Sequence, residues 1–206
     1  MSKIIWKGII KSERDFPAAN LPKNAKKLDS EEDMKKMQIK ALPFMIPSFL
    51  ICFIGMFTKT FLAGEKVINE WFIFVGVIIG FLLIIIHKLL HAIAFPKNAT
   101  VFIGIMPRSF TAVALSSSPV KRNRFIFLSI LPMILGVIPL VIFCFSNNNL
   151  KELNGILFGT SIMGMISVYP DIYNIFNVLK VVPKNATIQN NKNETYYFEE
   201  NDNSKK

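Results

Sequence analysis

Residues 71–95 read WFIFVGVIIGFLLIIIHKLLHAIAF, a long apolar run that carries both histidines of the chain near its end. A helix needs about 20 mostly apolar residues to cross the hydrocarbon core of a bilayer, so this run predicts a transmembrane helix. Trp71 at its start suits the membrane–water interface. His87 and His91 are four residues apart, about one helical turn, so we expect both imidazoles on one face of that helix.

Three further segments have the same apolar character, at residues 42–62, 125–145 and 155–179. The chain is 51% hydrophobic, and its mean hydropathy of +0.40 is too high for an ordinary soluble domain. Pro132 and Pro139 predict a kink in the third segment. The sequence therefore predicts an all-α integral membrane protein with four transmembrane helices, interrupted between the second and third by a short β-hairpin.

That hairpin is predicted for residues 99–120. Two β-prone apolar stretches, 100–105 and 110–115, flank the turn sequence Met106-Pro107-Arg108-Ser109. Both faces of the hairpin are apolar. Because unpaired strand edges cannot face hydrocarbon, we expect the hairpin to pack against the helices or to enter the membrane interface.

Lysine and arginine are concentrated in residues 1–41, in the 96–124 connection and in the tail after residue 179. The positive-inside rule predicts that these parts are cytoplasmic, so both termini of this multi-pass cell-membrane protein are expected in the cytoplasm. The predicted domains are a cytoplasmic N-terminal segment, a membrane domain over 42–180 and a cytoplasmic tail over 181–206. The net charge is +10, and the basic residues responsible for it flank the apolar segments. This placement favours a lipid bilayer as partner and argues against nucleic acid.

Asp171 is the acidic residue that lies deep within an apolar segment. At about 1.5 Å per residue, His87 lies about 24 Å along its helix from Trp71, and Asp171 lies the same distance from Gly155. These two helices run in the same direction under the predicted topology, so the three side chains reach a similar depth. Two histidines and a carboxylate are three of the four ligands of a tetrahedral zinc site, and water or substrate would be the fourth.

Two other interpretations remain open at this point. Histidines inside a membrane segment can serve packing or hydrogen bonding, and Lys88 could form an intramembrane ion pair with Asp171 that needs no metal. Ionisable residues in membrane spans are costly and usually functional, which favours the metal site.

The chain resembles the zincin peptidase family of small bacterial integral-membrane proteins, which are similar in layout to site-2-type intramembrane metalloproteases. The matching residues are His87 and His91 in His-x-x-x-His-Ala, the following Phe95-Pro96 and strand pair, the proline-rich third span, and Tyr169-Pro170-Asp171. The resemblance covers residues 21–198. It implies that His87, His91 and Asp171 are zinc ligands in a membrane-embedded metallopeptidase.

Lys88 departs from the family pattern, which has a glutamate at that position as the general base. A lysine ammonium cannot accept a proton, so no residue is assigned as catalytic and we expect impaired catalysis. Three functions remain open: a zinc peptidase acting on a membrane protein or peptide, a pseudoprotease that binds or regulates a membrane partner without cleaving it, and a metal-free transport or lipid-interacting protein.

Overall fold

The computed structural model describes residues 2–10, 16–28, 34–106, 111–192 and 194–199. The helices within them are α1 (Met34–Ala41), α2 (Met45–Ala63), α3 (Glu70–Leu82), α4 (Ile84–Ala94), α5 (Arg122–Ile130), α6 (Ile134–Phe145), α7 (Lys151–Ile166) and α8 (Tyr169–Val181). The strands are β1 (Lys3–Ile9), β2 (Lys26–Lys27), β3 (Thr100–Met106), β4 (Thr111–Leu115), β5 (Val120–Lys121), β6 (Thr187–Asn191) and β7 (Glu194–Phe198).

Four helical segments are long and apolar enough to cross a membrane: Lys35–Ala63, Glu70–Ala94, Arg122–Phe145 and Lys151–Val181. They cover the four predicted spans except Phe95 at the end of the second, and each begins N-terminal to its predicted start. A 3₁₀ turn over Leu131–Met133 separates α5 from α6. This break lies at Pro132, one of the two predicted kink positions, because proline lacks the N–H that an α-helix needs.

The expected all-α fold class is wrong, because the described residues form two β-sheets beside the helices. One sheet has the strand order β1-β3-β4 and the other β2-β7-β6-β5. The predicted hairpin is present as the antiparallel pair β3–β4, with register from Phe102↔Leu115 to Met106↔Thr111. Its predicted turn, residues 107–110, lies outside the described residues. The other strands come from the segments predicted as cytoplasmic ends or as the connection between the second and third spans.

The chain divides into two compact units. Unit 1 comprises the described parts of residues 1–40, 88–131 and 171–206, and contains both sheets. Buried Val101 and Ile103 of β3 pack with Ala92 near the end of α4. In the second sheet, Ile188 packs with Val178 of α8. The first sheet therefore packs against the end of α4 that carries His91, and the second packs against the helix that carries Asp171.

Unit 2 comprises residues 41–87 and 132–170. Within it α7 contacts α2, α3 and α6. The approach of α3 to α7 is very close, since a Cβ added at Gly76 would lie 2.2 Å from the Ile156 carbonyl oxygen, and one added at Gly159 would lie 2.2 Å from that of Ile73. Small residues allow such backbone contact between membrane helices.

Lys59 is a buried cation in unit 2, only 7% exposed. Its Nζ donates hydrogen bonds to the carbonyl oxygens of Phe143 and Ser146 and to Ser146 Oγ, the latter two at 2.7 Å. An ammonium has three donors, so these acceptors satisfy it. Because the acceptors lie at the C-terminal end of α6, the positive charge also interacts favourably with the helix dipole.

Candidate metal centre

Helix α4 carries both histidines, and both are buried. His87 is 2% and His91 6% exposed, and their spacing of four residues on one helix gives them a common face. Asp171 lies in the first turn of α8, where the positive end of the helix dipole favours a carboxylate. Its side chain is 15% exposed. The three side chains thus offer two imidazoles and one carboxylate in a largely buried setting.

The ligand atoms of these residues converge. One ring nitrogen of His87, one of His91 and one carboxylate oxygen of Asp171 all lie within 4.8 Å of one another. The closest measured pair is His91 Nε2 and Asp171 Oδ1, at 3.4 Å. Zinc ligands at roughly 2.0–2.2 Å in a tetrahedral arrangement lie about 3.3–3.6 Å from each other. The structure therefore brings all three predicted ligands close enough to bind one metal ion, and the His91–Asp171 pair has the separation of two ligands on one zinc.

The hydrogen bond of His91 shows which ring nitrogen carries a hydrogen. His91 Nδ1 lies 2.7 Å from the backbone carbonyl oxygen of Leu128. A carbonyl only accepts, so Nδ1 carries the hydrogen and donates, which leaves a lone pair on Nε2 in the neutral ring. This Nε2 is the atom that faces Asp171. Orientation of a ligand histidine by a backbone acceptor is common in metal sites.

Ser167 orients His87 in the same way. Its Oγ donates to the Gly164 carbonyl oxygen at 2.9 Å, which uses its one hydrogen. The contact of 3.3 Å between His87 Nδ1 and Ser167 Oγ therefore has the ring N–H as donor. The lone pair of neutral His87 is then also on Nε2. Two neutral imidazole nitrogens and a carboxylate oxygen are a donor set that zinc binds, so the residues present fit the metal.

Lys88 lies between the two histidines in sequence and is partly buried on α4. Asp171 Oδ1 contacts His91 Nε2 at 3.4 Å. Lys88 makes no ion pair or hydrogen bond with any residue that the structure describes. The alternative prediction of a Lys88–Asp171 ion pair is therefore not supported.

Sequence reasoning missed the two groups that orient the histidines. Ser167 had a signal, since it is a polar residue four positions before Asp171 in an apolar segment. The Leu128 carbonyl had none, because a backbone acceptor leaves no trace in residue type.

Comparisons with known proteins agree with this geometry. The family model described as "Putative zincin peptidase" matches residues 80–187, just over half of the chain. The match includes His87, Lys88, His91 and Asp171. No curated protein and no solved structure gives a significant match. The chain therefore belongs to the zincin peptidase family that this description names.

Proposed function

We propose that this protein is a membrane-embedded zinc-binding member of the zincin peptidase family whose hydrolytic activity is impaired by Lys88. The observation that carries the zinc proposal is the convergence of three ligand atoms within 4.8 Å. Its support is the orientation of both imidazoles by acceptors at their Nδ1 atoms. A packing role for the histidines would not require this convergence.

The membrane setting is proposed from the four long apolar helices. Many of their large hydrophobic side chains are exposed, including Phe57, Phe61, Trp71 and Phe74 at 64–78%. Exposed apolar surface of this extent marks contact with lipid or with another protein. The lysine-rich segments that flank the helices support a topology in which both termini are cytoplasmic.

The site has the residues that would bind zinc but lacks a residue that could act as the general base. His87, His91 and Asp171 would hold zinc, which when bound supplies Lewis-acid activation of a carbonyl and of water. Hydrolysis also needs a residue that accepts the proton of the attacking water. Among the described residues, the cluster contains no acidic group besides Asp171, and a lysine ammonium has only donors.

The proposed class of substrate or partner rests on the proposed membrane setting of the site. A buried site on membrane helices would receive a segment of a membrane protein or a peptide delivered from the interface. Lys88 favours the pseudoprotease form of this function, in which the protein binds or regulates such a partner without cleaving it. The metal-free transport function is disfavoured, since it gives no role to the convergent donor set.

Metal analysis tests the proposal. We expect the protein purified in detergent and dialysed against zinc to retain about one zinc ion per chain, and the His87→Ala and Asp171→Ala variants to retain little. Lys59→Met is the matched control, because it changes a buried ionisable residue outside the donor set. A zinc-free wild type after this treatment would exclude the zinc proposal.

A further inference from the structure

Strand β1 lies at an edge of its sheet in the described structure, and it pairs in parallel with β3. Ile4 is paired with Val101, and Trp6 with Ile103. Paired residues on neighbouring strands point to the same face of a sheet. Ile4 and Trp6 therefore lie on the face whose β3 residues form the core that packs against α4.

A β-bulge extends this apolar face. The register shifts between Trp6 and Gly8, and Gly8 has a φ of 72°, which glycine adopts without strain. Without the shift, Ile9 would point to the opposite face. With it, Ile9 pairs with Ile105, which is two residues beyond Ile103, so Ile9 joins the face of Ile4 and Trp6.

Burial changes abruptly along this face. Ile103 of β3 is 2% exposed, whereas Ile4 is 39%, Trp6 58% and Ile9 68% exposed. The neighbouring Ile105 is also 39% exposed. The face is therefore a continuous apolar surface that begins in the core and continues over the edge strand without a cover of protein among the described residues.

The position of β1 relates this surface to a candidate membrane span. Ser2 Oγ donates to the Ala92 carbonyl oxygen at 2.6 Å, and Ala92 lies in the last turn of the span Glu70–Ala94. Ile4 and Trp6 follow about 7 and 13 Å further along the strand. The headgroup layer begins where a span ends and is roughly 5–8 Å thick on each side, so Trp6 lies within it when the strand runs along the membrane surface. The strand thus starts beside the point at which this helix would leave the hydrocarbon core.

The residue types of β1 match the chemistry of that layer. Tryptophan is enriched at membrane interfaces, because its ring is apolar and its N–H is a donor. The exposed strand edge can hydrogen-bond to water and headgroups there, which it could not do in hydrocarbon. Lys3 and Lys7 of the same strand are exposed. They lie on the opposite face from Ile4 and Trp6, and Lys7 Nζ lies 4.5 Å from the centre of the Phe102 ring. Their positive charge near the surface favours anionic lipids through its longer-range field.

We propose that β1 is an interfacial anchor that inserts Ile4, Trp6 and Ile9 into the headgroup layer of an anionic leaflet. Through its pairing with β3, the anchor would hold the sheet against the end of α4, three residues from His91. This inference rests on the proposed membrane embedding of the helices. It adds a second, separate contact with the bilayer.

The two tryptophans allow a test in which this inference and the membrane proposal fail separately. Trp71→Phe leaves Trp6 as the fluorophore, and Trp6→Phe leaves Trp71, which lies at the start of a candidate span and is 78% exposed. Each variant is reconstituted into vesicles of phosphatidylcholine and phosphatidylglycerol. One of the two lipids at a time is brominated near the ester end of its acyl chains, and iodide serves as the aqueous quencher.

We expect brominated lipid to reduce Trp6 emission by roughly half, with more quenching by brominated phosphatidylglycerol than by brominated phosphatidylcholine, and iodide to have little effect. Lys3→Gln with Lys7→Gln should abolish the difference between the two lipids and leave the quenching itself.

Strong iodide quenching without lipid quenching would overturn the anchor, and so would protection from both quenchers, which indicates a protein cover. Equal quenching by the two lipids would overturn the anionic preference.

Quenching of Trp71 tests the membrane embedding of the helices, on which the anchor proposal rests. Lipid quenching of Trp71 but not of Trp6 would refute the anchor alone. Loss of lipid quenching for both residues would refute the membrane embedding itself.

Discussion

Lys59 in unit 2 and His91 in unit 1 are both less than a tenth exposed, yet their polar atoms are used differently. The Lys59 ammonium donates all its hydrogen bonds to two carbonyls and a hydroxyl at the end of α6. His91 uses Nδ1 for the Leu128 carbonyl and presents Nε2 to Asp171, where His87 also offers a nitrogen. The first cluster is closed by its own hydrogen bonds. The second places three lone-pair donors together, an arrangement that a cation completes.

This difference separates structural from functional polar groups better than burial does. A buried polar group must be satisfied, and a group that is satisfied internally has no need of a ligand. Convergent acceptors repel one another unless a proton or a metal lies between them. The comparison therefore supports a structural role for the Lys59 cluster and the proposed metal binding by the cluster of His87, His91 and Asp171.

The largest expected effect is a gain of function at Lys88. Lys88→Glu supplies the missing proton acceptor, and general-base catalysis contributes roughly a hundred- to ten-thousandfold to hydrolysis. We expect hydrolysis of quenched fluorescent peptides in detergent micelles to rise by about that factor over the wild type. Lys88→Gln, which removes the charge without adding a base, is the control and should stay inactive. A wild type as active as Lys88→Glu would contradict the impairment.

Removal of a ligand should have the next largest effect. Because second-shell changes already weaken metal binding by about 10- to 100-fold, His91→Ala should weaken zinc affinity by more than about 100-fold. Competition with a chromogenic chelator measures this affinity. If His91→Ala bound zinc as tightly as Lys59→Met, the contrast between the two clusters would disappear.

Lys59→Met should reduce stability and leave the metal site intact. The substitution keeps the length of the apolar stem but removes the three hydrogen bonds of the ammonium, and hydrogen bonds to charged groups contribute about 1.5–3 kcal/mol. We expect a loss of about 2 kcal/mol in the free energy of unfolding, measured by denaturant titration in detergent. Unchanged stability together with lost zinc would reverse the roles assigned to the two clusters.

The smallest effect is expected at the serine that orients His87. Ser167→Ala removes the acceptor of the Nδ1 hydrogen and should lower zinc affinity about tenfold. Ser161→Ala is the matched control, because Ser161 is a buried serine of α7 whose Oγ contacts Cys52 Sγ at 3.6 Å. Equal affinities in the two variants would show that Ser167 does not position the histidine.

The parts of the fold that could be predicted depend on local sequence. An apolar run such as 71–95 specifies a helix by its length and composition, and the β3–β4 hairpin joins segments that are close along the chain. The other strands could not be predicted in the same way. Lys3 pairs with Thr100 and Lys26 with Tyr197. These partners are far apart along the chain, and no local sequence pattern reveals such a pairing.

In the candidate site, too, the features set by local sequence could be predicted and those set by distant contacts could not. His87 and His91 were predicted by their helical spacing, and Asp171 by its depth in a span of the same direction. Both are regular properties of helices. The hydrogen bonds to Leu128 and Ser167 depend on how α4 meets other helices, which a single sequence does not encode in its residue types. The role of Lys88 was defined by comparison with the family pattern.

X-ray absorption at the zinc edge, on protein loaded with one zinc ion per chain, tests the central claim most directly. The account predicts two imidazole nitrogens and at least one oxygen at about 2.0–2.2 Å, and the imidazole signal should be lost in His87→Ala with His91→Ala. Sulfur ligands at about 2.3 Å, or an imidazole signal that persists in the double variant, would contradict zinc binding by His87, His91 and Asp171.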